Sequence, residues 1–203
     1  MEGALGETLQ SENSDTRKTR APRLVVFDLD GTLWYPDLYK LRGWINYSTG
    51  AVEWKENGGS PFTKVDENTY RDTAGNEVSL FESTREILTA LSIEDEKERI
   101  CIAYASACDE PLWAKELLHA FQVQRGMSMF DVASFIEIYK GDKKSHFRKI
   151  MQEGSFQPSQ ILFFDNQMNN IESVSSLGVQ CIYCPNGINL EVWNTGLKKF
   201  AGE

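Results

Sequence analysis

Three short apolar segments, LVVF (residues 24–27), ICIAYA (100–105) and ILFF (161–164), constrain this chain more than anything else in it. Segments apolar throughout, rather than at every second position, belong to strands buried on both faces, as in a parallel sheet covered by helices. Each segment also runs into a polar residue: Asp28, Ser106 and Asp165 respectively. Open sheets of this kind bind ligands outside the carboxyl ends of their strands, so the pattern gathers those polar residues at one edge. None of the segments approaches the roughly 20 apolar residues of a membrane-spanning helix.

Segments of helical period lie between and after these strands. The spacing predicts helices over about Ser83–Leu91, with Ile87, Leu88 and Leu91 on one face, and from Asp109 as N-cap with Pro111 in the first turn to about Phe121. Further helices are expected over Lys144–Gln152, Asn170–Leu177 with Gly178 as C-cap, and Leu190–Phe200. Shorter strands are expected at Phe135–Tyr139 and Val179–Tyr183. Alternation of this sort defines an α/β, Rossmann-like fold, a mostly parallel sheet with helices on both faces. Residues 35–80 break the alternation. They are rich in Trp, Tyr, Gly and Asn, and read as a small inserted β-flap or loop, with strands near Thr69–Arg71 and Glu77–Leu80 around a turn at residues 73–76. Residues 1–21 are polar and read as a disordered leader, which leaves 22–203 as one domain.

The net charge of −9 argues against a chain that grips nucleic acid or anionic membranes, and four cysteines are too few for a disulfide scaffold. With no basic start and apolar core of a signal peptide, the reading is a cytoplasmic protein.

Asp28-Leu29-Asp30-Gly31-Thr32 is the sharpest local signal. At ordinary residue usage this pattern arises by chance about once in 10⁵ positions, so it is not an accident of a chain this long. Carboxylates two apart on an extended segment share a face, and their repulsion calls for a cation or a shared proton. Gly31 permits a sharp turn off the strand.

With Ser106 after the next strand, Lys143 opening a helix and Asp165-Asn166 after a further strand, the chain resembles the haloacid dehalogenase superfamily of phosphohydrolases. FDLDGTLW, PFTKVDENTYRDTAGNEVSLF, YKGDKKSHF and FFDNQMNNI are similar to its magnesium-dependent acid phosphatase branch. The resemblance implies Asp28 as nucleophile and Asp30 as general acid and base. It implies Leu29, Ser106, Ala107 and Lys143 at the phosphate, and Mg²⁺ held by Asp28, Asp30 (through its carbonyl), Asp165 and Asn166. The implied activity is Mg²⁺-dependent phosphomonoester hydrolysis through an aspartyl-phosphate, on phosphotyrosine, aryl phosphate or sugar phosphate. The expected partner is a phosphorylated small molecule or phosphoprotein, with no nucleic acid or membrane partner, and the expected state is a monomer. With no room for a large helical lid, the site is expected to be open.

Two positions depart from the branch. Asn166 stands where an aspartate is usual, and Ala107 where an arginine is common. They motivate an alternative, a catalytically weakened phosphate-binding or interaction protein. A second alternative is a protein serine phosphatase of the same superfamily, although Trp34 stands where those commonly have Val. Cys181 and Cys184 are three apart on a strand and face opposite sides, which does not suit one zinc. Cys108 reads as a buried, inert thiol. His146, three residues after Lys143, and His119, among Leu117, Leu118 and Phe121, read as packing or hydrogen-bonding residues. Trp34, Tyr35, Tyr39, Trp44, Tyr47 and Trp54 suit equally a substrate groove or the core of the flap.

Overall fold

The computed structural model describes residues 21–41, 45–46, 51–52, 60–72, 74–92 and 100–203. The leader expected over 1–21 lies outside these but for its last residue, as do Trp44, Tyr47 and Trp54. In chain order, β1 (Leu24–Phe27) is followed by the insertion, which holds β2 (Trp34–Tyr35), β3 (Ile45–Asn46), β4 (Ala51–Val52), β5 (Thr63–Lys64), β6 (Thr69–Arg71) and β7 (Glu77–Leu80). Then come α1 (Thr84–Ser92), β8 (Cys101–Ser106), α2 (Pro111–Ala120), β9 (Gln122–Gln124), β10 (Met127–Ser128) and α3 (Met129–Val132). The chain continues through β11 (Phe135–Ile138), α4 (Lys143–Gly154), β12 (Ile161–Asp165), α5 (Met168–Ser175), β13 (Gln180–Tyr183) and α6 (Leu190–Ala201).

The central sheet has five parallel strands in the order β11-β8-β1-β12-β13. Its apolar strands divide their side chains between two cores, as the two-residue period of a strand requires. Leu24, Val26, Ala103, Ala105, Ile161 and Phe163 face Phe147 and Ile150 of α4 and Val174 of α5. Val25, Phe27, Ile102, Tyr104, Leu162 and Phe164 face the larger core, which takes in α1, α2, α6 and the flap. There Phe27, Phe164 and Trp193 stack at centroid separations of 5.5 to 6.3 Å. β1 lies at the centre, with crossovers leaving to either side, so the carboxyl ends of β1, β8 and β12 form the switch point at which such sheets bind ligands.

The insertion forms a four-stranded antiparallel sheet, β2-β7-β6-β5, and a separate hairpin, β3-β4. The strands expected at Thr69–Arg71 and Glu77–Leu80 are present. Tyr70 anchors the flap to the main body, its hydroxyl donating to the Ala120 carbonyl at 2.8 Å.

Two expectations are corrected. Asp109 is not the N-cap of α2, because Pro111 occupies the first helical position and leaves Glu110 as the cap residue, without a side-chain hydrogen bond. Asp109 turns instead to Lys140, at 2.9 Å. Gly178 is not the C-cap of α5, which ends earlier, at Ser175 with Ser176 as cap; Gly178 takes the left-handed conformation (φ 89°) before β13. Sequence reasoning also missed the β9-β10 hairpin and α3. Their signals are Gly126, with φ 76° at the turn, and the reciprocal capping of Ser128 and Asp131. Among the described residues, no helix is long and apolar enough to cross a membrane.

Candidate active site

The site begins where β1 stops. Asp28 continues the ladder, its N–H donating to Phe164 O at 3.0 Å, and is nearly buried. After it the backbone turns sharply. Leu29 O accepts from the N–H groups of Thr32, Leu33 and Trp34, and Gly31 adopts φ 73°. A Cβ on Gly31 would collide with the Asn166 amide, so this glycine is required by both backbone angle and space. The buried Thr32 hydroxyl accepts from Asn166 N–H at 3.0 Å and ties the turn to the end of β12.

Lys143, first residue of α4, reaches into this junction. Its Nζ lies 2.5 Å from Asp28 Oδ1, 2.5 Å from Ala105 O and 3.3 Å from Asp165 Oδ2. Asp142 caps the helix, its side chain accepting from Lys144 N–H. Burial works to strip Lys143 of its proton, but Asp28 and Asp165 outweigh it and hold the pKa above the ordinary lysine value. Asp165 is fully buried and also accepts from Gln167 N–H (2.7 Å) and the Asn170 amide (2.9 Å). Its pKa is raised by burial and by the charge of Asp28, against the pull of Lys143.

The Asp30 carboxylate turns away from this pair. Oδ1 accepts from the indole N–H of Trp34 at 2.6 Å, and Oδ2 from Leu38 N–H at 3.2 Å. Burial first, then the charge of Asp28, push its pKa up to about 7, against the two donors.

Beside this junction is a cavity of about 340 Å³ that opens to solvent. Asp28, Asp30, Ser106, Ala107 and Lys143, five of the expected site residues, lie on its wall. The Leu29 side chain does not; it is buried in the larger core, so only its backbone faces the turn. Asp165 lies behind Lys143. The Asn166 side chain packs over Gly31 and Thr32 and is not on the wall. Several lining residues escaped the sequence reading: Asp37, Asp109, Gln167, Asn169 and Asn170. The polar run after Asp165 was a visible signal for the last three. Asp37 and Asp109 have lysine partners at the rim, Lys40 at 3.4 Å and Lys140 at 2.9 Å. Of the aromatics, Trp34 is buried in the core, Tyr39 lines the cavity, and Tyr35 packs at a tilt against Phe81 on the flap. Cys108 is buried, accepts from Glu110 N–H, and has its thiol pKa pushed up by burial, which makes it unreactive.

Among the described residues, no three acidic, histidine or cysteine side chains converge as a ready-made metal cage. The available donors are oxygens: the Asp28 and Asp165 carboxylates, the Asp30 carbonyl, and the Asn169 and Asn170 amides. That set suits a hard divalent cation that keeps several of its waters. A carboxylate nucleophile, a cation against it and a hydroxyl at the same cavity are the parts needed to bind and attack a phosphoryl group.

Residues 20–203 match the family described as acid phosphatase. Human magnesium-dependent phosphatase 1 is 35% identical over 182 residues, covering 90% of this chain and 89% of the human protein. A HAD-like hydrolase superfamily protein of Schizosaccharomyces pombe, P8B7.31, is 29% identical over 163 residues, covering 78% of this chain and 83% of its own length. Among solved structures, a HAD family enzyme from Bacteroides thetaiotaomicron, determined as a magnesium complex, superposes with a TM-score of 0.56 over 86% of this chain and 98% of its own. At 13% identity that last likeness concerns the fold alone.

Proposed function

The chain belongs to the acid phosphatase family of haloacid dehalogenase-like enzymes, and from that premise we propose that it hydrolyses phosphomonoesters with Mg²⁺ by way of an aspartyl-phosphate on Asp28. The observation that carries this reading is the placement of Asp28: at the end of the central strand, on the cavity wall, with Lys143 at 2.5 Å. One Asp28 oxygen attacks phosphorus, and the bond to the leaving oxygen breaks. Lys143 and the Ser106 hydroxyl hold the phosphoryl oxygens as charge shifts onto them. Asp30 gives its proton to the leaving oxygen, then takes one from the water that releases phosphate and restores Asp28. The all-oxygen donors fit Mg²⁺: the Asp28 carboxylate and the Asp30 carbonyl at the cavity would hold it, with the buried Asp165 carboxylate behind Lys143 adding negative charge. When bound, Mg²⁺ supplies the positive charge that lets an anionic substrate approach a carboxylate.

The substrate is a phosphorylated small molecule or a phosphoprotein, with phosphotyrosine, aryl phosphate and sugar phosphate as the classes to compare. What supports turnover over binding alone is the retention of Asp28, Asp30 and Lys143 together. Asn166 lacks the charge usual at its position, and the neighbouring Asp165 carboxylate would carry it instead. The test is release of p-nitrophenol from its phosphate ester across pH, with Mg²⁺ and with EDTA. Turnover that needs Mg²⁺ is expected; none at any Mg²⁺ concentration overturns the reading.

The acid role of Asp30 sets a pH dependence. Leaving-group protonation needs the protonated carboxyl, so that step slows as pH rises through about 7. The Trp34 indole lowers this pKa by bonding the ionised form. Trp34→Phe keeps an aromatic ring in the core but removes the donor. It is expected to move the alkaline limb of the pH–rate profile upward and to slow turnover roughly tenfold through a misplaced acid. Unchanged profiles for the two proteins would remove Trp34 from the mechanism.

A further inference from the structure

His146 lies three residues beyond Lys143 on α4, with no exposed surface. Its Nδ1 is 3.0 Å from the main-chain oxygen of Asp142, and its Nε2 is 2.9 Å from the main-chain oxygen of Tyr139. Carbonyl oxygens only accept, and a neutral imidazole carries a single N–H. Both contacts are hydrogen bonds only when both ring nitrogens are protonated; in the neutral ring, one lone pair faces a carbonyl at bonding distance. The Tyr139 ring lies parallel to the imidazole, 8° between planes and 4.0 Å between centroids, an arrangement that favours a cationic partner.

The loop that this ring spans, 139–142, joins two parts of the phosphate site. At its start, Tyr139 N–H donates to Ser106 O at 3.1 Å; at its end, Asp142 caps the helix that begins with Lys143. Gly141, between them, lines the cavity, and a Cβ there would meet the Tyr139 ring and His146. We propose that His146 is a positioning residue for the phosphate site: protonated on both nitrogens, it clamps the Tyr139 and Asp142 carbonyls, fixes the loop between them, and so sets the reach of Lys143 toward Asp28 and its spacing from Ser106.

α4 packs against β8, β11 and α5. β8 carries no charge, β11 carries Glu137, which pairs with Lys149 at 2.9 Å, and α5 carries Glu172. On the loop, Lys140 pairs with Asp109, and the Asp142 carboxylate takes N–H and hydroxyl donors from Lys144 and Ser173. Within α4, Lys144, Arg148 and Glu153 complete the set, and the charge of Lys143 is met by Asp28 and Asp165. The ring's two hydrogen-bond contacts are both carbonyls, so its proton count follows from the clamp.

The activity consequence rests on the phosphatase reading; the protonation state does not. The first measurement is a long-range ¹H–¹⁵N spectrum of the histidine-labelled full chain near pH 7, where both His146 nitrogens are expected to carry protons. A bare, lone-pair-bearing nitrogen there overturns the clamp, and this holds whether or not any variant folds. The second is p-nitrophenyl phosphate kinetics. His146→Phe keeps a flat ring against Tyr139 and loses both donors; it is expected to raise KM and lower kcat about tenfold as Lys143 loses its setting. His146→Gln, which restores an N–H₂ donor, is expected to recover part of that loss. Wild-type kcat and KM in a folded His146→Phe overturn the proposal. Absence of turnover in the unsubstituted enzyme overturns the phosphatase reading instead, and the spectrum then decides the clamp by itself.

Discussion

Asp28→Asn is expected to lower turnover by on the order of 10³-fold or more, equivalent to about 4 kcal/mol of barrier, while leaving the fold intact. An amide oxygen can still accept from Lys143 and occupies the same space, so the junction of β1, β12 and α4 survives. What is lost is the charge and nucleophilicity of the oxygen that would bond phosphorus. Rapid acid quenching adds a direct readout. The unsubstituted enzyme should carry a phosphate-mass adduct on the peptide containing Asp28, and the variant none. An adduct elsewhere, or full activity in the variant, would assign the nucleophile to another residue.

Lys143→Met is the expected large effect on stability. Lys143 contacts two nearly or fully buried carboxylates, at 2.5 and 3.3 Å. Without it, Asp28 and Asp165 face each other uncompensated, and removing one partner of a buried ionic cluster costs about 3–5 kcal/mol. The pH dependence gives the loss its signature. The Asp165 pKa is already raised, and removing the lysine raises it further. A carboxyl with its folded pKa above its unfolded pKa binds more protons when folded, so stability declines as pH rises through the interval between the two. The variant should therefore lose much more at pH 8 than at pH 5 in urea melts, and Asp165→Asn in the same background should recover part of the difference. Equal losses at both pH values would show that packing of the lysine stem, and not charge, is what the substitution removes.

The parts of this molecule that were readable in its sequence are those dictated by contiguous residues. β1, β8 and β12 declare themselves because a strand buried on both faces is apolar at every position. The convergence of Asp28, Ser106 and Asp165 follows from where such strands end, whereas Lys143, which opens α4, was legible only through the family resemblance. The rest depended on partners distant in the chain. Asp109 has the chemistry of a helix cap, but Lys140 draws it to the cavity rim and Pro111 starts the helix beyond it. The short polar strand Gln122–Gln124 shows no period that separates it from a loop. Asp30 carries its partner four residues away, yet that its carboxylate turns from Asp28 to Trp34 depends on the tightness of the turn at Gly31. Tyr39 could not be assigned to wall or core until the flap was placed.

The position of β1 at the middle of the sheet has a consequence for synthesis. Leu24 pairs on one side with Cys101 and on the other with Ile161, and Asp28 meets a lysine 115 residues further on. As the polypeptide leaves the ribosome, β1 therefore waits with both edges open while the flap and α1 emerge, and with one edge open until β12 follows α4. Contacts so far apart are slow to close, and an apolar strand without neighbours is a template for unwanted pairing. The flap sheet, whose strands pair locally, can organise early, whereas α1 packs on β9 and α3 and must wait for them; the nucleophile acquires its lysine only after α4 has emerged, and its second flanking strand only with β12. A nascent chain halted before β12 would carry the Asp28 sequence motif in full and lack the sheet neighbour that places it.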